Sequence, residues 1–187
     1  MQLVNLSSVA GLLSAKCHQV EIARSTMRHI LKFGHSMTAI SFLGAVVVLW
    51  VLHQQLPHPD EALEIYAAQR QAMERIASLV LMPSLLVSLL FGMASMAAVP
   101  GFHAAPWAWA KFVTTVLMLE GSLLGIQSPI KREALRAARA LEDAELVAQL
   151  GQTASSEQWS LIIIGLVATA NVALGVWRPR FRSRATA

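Results

Sequence analysis

Few side chains in this 187-residue chain could do chemistry, and the informative ones are ionisable or metal-ligating groups set among apolar residues. Glu120 stands in an otherwise uncharged stretch, nine residues after Lys111, about 13 Å along a helix that rises 1.5 Å per residue. An ionisable group inside an apolar span is costly and is a functional candidate by default. At that depth a lone carboxylate is expected to take up a proton, and either to join a polar layer with Ser41, Ser88 and Asn171 or to handle protons. His35 and His53 are 18 residues apart, five helical turns, so both rings project from one face about 27 Å apart. That spacing suits two sites at opposite membrane surfaces. Neutral imidazole ligates haem iron and other metals, which makes His35 the candidate ligand of haem b and His35 and His53 the candidate metal ligands. Lys111, at the depth of His35, is a candidate haem or anion partner. Nine residues at 100° each set it on the opposite helix face from Glu120, so with Glu120 inward Lys111 is expected to snorkel to the headgroups. Met82, Met93 and Met96 could serve copper, although thioethers are also ordinary apolar filling. Cys17 is the single cysteine, which excludes an intramolecular disulfide and any cysteine-based metal motif. No phosphate-binding glycine loop, zinc-protease histidine pair or serine elbow occurs, which argues against soluble hydrolase or nucleotide chemistry. No catalytic residue is assigned.

Only membrane helices position groups in this way. Hydrophobic residues make up 55% of the chain, charged residues 14%, and mean hydropathy is +0.52, against about 25% charge in soluble domains. A crossing needs about 20 apolar residues, and four stretches qualify: about 30–53, 76–99, 107–126 and 159–177. Pro57 closes the first, Pro100, Gly101 and Pro106 divide the second from the third, and Pro129 with Lys131 and Arg132 follows the third. Trp50, Trp107, Trp109, Trp159 and Trp177 fall at or near span ends, where indole prefers the headgroup layer. The expected fold is an all-α, polytopic membrane four-helix bundle. Residues 1–28 form a cytoplasmic or interfacial extension, 29–182 the four-span domain and 183–187 a basic tail.

Charge sorts by side. One side, with both termini and the 100–106 turn, carries nine Lys and Arg (Lys16 to Lys32, Lys111 and Arg178 to Arg184) and Glu21 as its acid. The other carries six bases and nine acids. The positive-inside rule then sets both termini in the cytoplasm. The tail Arg178-Pro179-Arg180-Phe181-Arg182-Ser183-Arg184 reads as an anionic-lipid anchor rather than a nucleic-acid site. His58 to Ala62, with a capping residue and early acids, predicts a helix leading into the second span. Lys131 to Leu150 predicts a continuation of the third span or a separate amphipathic helix ending at Gly151. The two segments are expected to pair outside the membrane. Small residues at helical spacing mark contact faces: Gly34, Thr38, Ser41 and Ala45; Ser84, Ser88, Gly92 and Ser95; Gly121 and Gly125; Gly165, Thr169 and Ala173. The Gly121–Gly125 pair suits either the bundle interior or a homodimer.

Leu31-Lys32-Phe33-Gly34-His35 leading to Gly44, Trp109-Ala110-Lys111 and Trp177-Arg178-Pro179-Arg180 together resemble small bacterial membrane proteins. The resemblance is to uncharacterised four-span predicted integral membrane proteins and, more distantly, to CopD-like copper-resistance proteins and HemJ-type protoporphyrinogen oxidases. Where those oxidases carry Trp-Phe-Ala-Gly after the histidine, this chain has Ser41-Phe42-Leu43-Gly44. The likeness implies a bacterial inner-membrane protein that binds haem b through His35 and Lys111, with a redox or haem-metabolism role. The alternative is a non-enzymatic bundle that transports a small solute or copper, or scaffolds a membrane complex. The expected partners are the lipid bilayer and either a second copy or another membrane protein.

Overall fold

In a computed structural model the described residues are 6–98 and 105–177, without the side chains of 6–15, 17, 20, 24 and 175–177. The 100–104 turn, the basic tail and the side chains of Cys17 and Trp177 lie outside them. Among the described residues the chain is helical and contains no strand. The helices are α1 (Leu6–Gln54), α2 (Leu63–Ile76), α3 (Met82–Ala98), α4 (Pro106–Ser122), α5 (Ser128–Ala140) and α6 (Ala154–Trp177). Four continuous helical stretches are long and apolar enough to cross a membrane, those of α1, α2–α3, α4–α5 and α6. The protein is thus a multi-pass helical bundle of the kind that sits in a bilayer.

Two of these rods contain an internal proline that does not end them. Pro83 and Pro129 each follow a five-residue π-helical turn, Ala77–Leu81 and Leu123–Gln127, in which Met82 N–H donates to the Ala77 carbonyl and Ser128 N–H to that of Leu123. A proline ring clashes with the carbonyl four residues earlier in an α-helix. Widening the preceding turn by one residue removes the clash and lets the helix resume. The third helix therefore runs through Pro129 to Ala140, the continuation that the sequence left open beside a separate helix. After it come a turn, a 3-10 segment Ala144–Gln149 capped by Asp143 and Gly151 with φ of +78°. The helix after His58 also starts later than its capping residue suggested: Glu61 and Ala62 N–H both donate to the His58 carbonyl in a turn, and α2 begins at Leu63 with no side-chain cap.

Hydrogen bonds fix the vertical register. Gln69 Nε2 donates to the Leu52 carbonyl (3.0 Å), and His35 meets Ser88, so α2–α3 runs antiparallel to α1. Asn171 meets Thr114 and Thr115, which sets α6 against α4. The main core lies between these rods and includes Phe42, Val46, Leu49, Met73, Leu81, Leu85, Ile126, Ile130 and Leu161. As expected, α2 and α5 pack on each other, through Tyr66 and Ala67 against Ala137, Ala140 and Leu150. The small residues let backbones approach. A Cβ on Gly34 would meet the Phe91 ring at 2.6 Å, and one on Gly125 would meet Ser160 Oγ at 2.9 Å. Gly121 and Gly125 both face α6, so this pair serves the bundle interior. Ser41 and Thr169 leave their stripes: both are exposed, and their hydroxyls donate back to the Met37 and Gly165 carbonyls.

Candidate functional site

Two polar sites lie at opposite ends of the core. The first is a pocket of about 50 Å³ near the His35 end, lined by His35, Ser88, Lys111, Thr115 and Asn171 with an apolar wall that includes Phe42 and Met118. Four residues singled out from sequence (His35, Ser88, Lys111 and Asn171) thus converge although they come from four different helices. His35 Nδ1 lies 3.0 Å from the Ser88 carbonyl and 3.1 Å from its hydroxyl. A carbonyl only accepts, so Nδ1 carries the proton and Nε2 is the nitrogen left for a ligand. Asn171 is held at both ends of its amide: Thr114 Oγ1 donates to Oδ1 and Nδ2 donates to Thr115 Oγ1, both at 3.2 Å. The Thr115 hydroxyl also donates to the Lys111 carbonyl at 2.7 Å. These bonds fix the wall opposite His35.

Glu120 and Ser41 do not join this layer. Both are exposed on the outside of the bundle. Lys111 and Glu120 do occupy opposite faces of α4, but it is Lys111 that turns to the pocket.

The second site surrounds His53, and sequence reasoning found only its histidine. Arg70 is fully buried, Glu133 and Glu157 are 1% exposed and Tyr66 is 2% exposed. Arg70 Nη1 pairs with Glu157 Oε2 at 2.5 Å, and Arg70 Nε donates to the Tyr66 hydroxyl at 3.1 Å. That hydroxyl donates to Glu133 Oε1 at 2.8 Å, and Gly151 N–H donates to the same oxygen. Thr153 Oγ1 donates to Glu157 Oε1 at 2.8 Å, while His53 Nδ1 stands 3.8 Å from Glu157 Oε2. Charge counting assigns Arg70, Glu133 and Glu157 to loops. The signal that could have found them is periodicity: Tyr66, Arg70, Met73 and Ala77 form one helical stripe, as do Ile126, Ile130, Glu133 and Ala137, and in each a charge replaces an apolar residue. The buried Arg70–Glu157 pair and the Tyr66 bridge to Glu133 make this cluster a clasp joining α1, α2, α5 and α6, although Arg70 Nη2 and His53 Nδ1 have no hydrogen-bond partner among the described residues.

No cluster of three or more His, Cys, Asp or Glu able to hold a metal occurs among the described residues. Pockets for drug-sized ligands and cofactors measure about 300–1,000 Å³. The His35 pocket is far smaller, and its size fits a small ion or a few waters. Met93, 47% exposed, points away from the core. No family model, curated protein or solved structure matches this chain.

Proposed function

We propose that this membrane bundle binds a small monovalent anion, such as chloride or formate, in the His35 pocket, as a step in moving it across a bacterial inner membrane. The observation that carries this reading is the pocket's composition. Its polar lining includes the Lys111 ammonium, the His35 imidazole, the Ser88 and Thr115 hydroxyls and the Asn171 amide, with no carboxylate among its lining residues. At a part-buried site the Lys111 ammonium attracts an anion more strongly than it would in water. An anion seated there accepts from Lys111, and from His35 Nε2 once the ring is doubly protonated while Nδ1–H stays on the Ser88 carbonyl. With both termini cytoplasmic, the pocket lies in the cytoplasmic half. Phe42, Leu85 and Met118 close it towards the bundle centre, so transfer requires the helices to shift. The π-helical turns, where the backbone ladder is already widened, are where α2–α3 and α4–α5 can bend.

Reconstitution into liposomes tests this. The wild-type protein is expected to release trapped chloride under a potassium-set potential, and Lys111→Met and His35→Ala are expected to slow release at least tenfold while folding normally. Equal release from empty liposomes and from all three proteins overturns the proposal.

A further inference from the structure

Glu120 is the group that neither polar site absorbs. It is exposed on α4, flanked on the same face by Val113 (51% exposed), Val116 (37%), Leu117 (60%) and, beyond the π-helical turn, Leu124 (64%). It lies 11 residues beyond the exposed Trp109, about 16 Å along the helix, which is half the thickness of a hydrocarbon core of about 30 Å. The structure therefore aims a carboxyl group at the middle of the bilayer from the outside of the bundle. Lipid tails offer it no hydrogen bond, and carboxyl groups in spans almost always face a bundle interior or an aqueous cavity.

We propose that the α4 face centred on Glu120 is the interface of a homodimer. Two copies in one membrane share the same orientation, so a two-fold axis between them runs along the membrane normal and sets each residue opposite its own copy at the same depth. Glu120 then meets Glu120 of the partner subunit. A carboxyl group is self-complementary: a protonated one donates to its neighbour and accepts from it, and one proton shared between two also closes the pair. What this face requires of a partner is a smooth apolar ridge with one group at mid-depth that both donates and accepts, and that is what the same face presents. The spacing Val113, Leu117, Glu120, Leu124 alternates four, three and four residues, the seam of a left-handed helix pair. Gly121 and Gly125 are already committed to α6, so the interface is made by this ridge and not by the glycine pair.

The test uses the full chain carrying Cys17→Ser with one new cysteine, either Leu117→Cys on the ridge or Leu79→Cys at similar depth on α2–α3. Oxidation in native membranes is expected to yield disulfide-linked dimers from Leu117→Cys and not from Leu79→Cys. Single-molecule photobleaching in bilayers then gives the protein-to-lipid ratio at half dimerisation. Glu120→Leu is expected to raise that ratio roughly tenfold, whereas Glu120→Gln, which still donates and accepts, changes it less than threefold. Monomers at every density, equal cross-linking from Leu79→Cys, unchanged dimerisation of Glu120→Leu or cross-linking of Leu117→Cys to a different protein each overturn the proposal. The chloride measurement is independent: a dimer without anion flux, or flux without a dimer, separates the two readings.

Discussion

At the scale of single residues, the buried Arg70 clasp decides how the end of the bundle opposite the His35 pocket holds together. Burying a charge is costly, and the mutual attraction of a buried pair offsets that cost only when the remaining donors and acceptors are also satisfied. Here Tyr66, Thr153 and the Gly151 amide supply most of the missing partners. Removing one member strands the other. Arg70→Met leaves the Glu157 carboxylate without its cation and is expected to cost about 3–5 kcal/mol. The double variant Arg70→Met, Glu157→Leu removes both charges and is expected to recover most of that loss. Unfolding in detergent micelles, followed by circular dichroism, measures both; a double variant no more stable than the single one would show that the pair is not the determinant. Tyr66→Phe keeps the ring and removes the bridge to Glu133, so a loss of roughly 1–2 kcal/mol is expected in the same assay.

At the scale of elements, length and hydropathy located the four rods because a bilayer crossing demands an uncharged run, and nothing else in the chain provides one. The details that escaped are those in which tertiary context overrides local signals. Pro129 left open whether the third helix continues, and the wide turn at Leu123–Gln127 carries it through. The His58 to Ala62 stretch reads as a capped helix start, yet the helix begins only at Leu63. Arg70 reads as loop charge because its partners, Glu157 and Tyr66, sit 87 residues ahead and four residues behind, and only the fold brings the first of them near. The small-residue stripes were legible as contact faces but not in which direction each faced. Gly34 carries the sharpest test of such a contact. Its backbone leaves no room for a methyl group beside the Phe91 ring, so Gly34→Ala is expected to cost about 1–3 kcal/mol through overpacking. Phe91→Leu in the same chain, which replaces the ring with a smaller side chain, is expected to restore most of it; failure of that rescue would place the strain elsewhere.

At the scale of the whole molecule, the two polar sites and the charge balance define one axis. The exposed Trp50 and Trp159 lie within a turn of His53 and Glu157, and the exposed Trp109 lies two residues before Lys111. Through the His35–Ser88 and Gln69–Leu52 registers these rings form two belts about 25 Å apart, close to a hydrocarbon thickness, which gives the aromatic signal in the sequence a geometric meaning. Between the belts Lys111 turns into the His35 pocket and Glu120 faces outward. The direction of the axis follows from electrostatics alone: nine bases with one acid at the Lys111 end against six bases with nine acids at the Arg70 end. By the positive-inside rule this balance predicts the His35 pocket on the cytoplasmic side and the clasp on the opposite side. In cells carrying Cys17→Ser with one introduced cysteine, a membrane-impermeant maleimide is expected to label Glu142→Cys directly and Lys16→Cys only after permeabilisation. The reverse pattern would invert the axis, put the His35 pocket on the outer side and turn the proposed anion movement around with it, while leaving the Glu120 interface untouched, because a group at mid-depth has the same environment in either orientation.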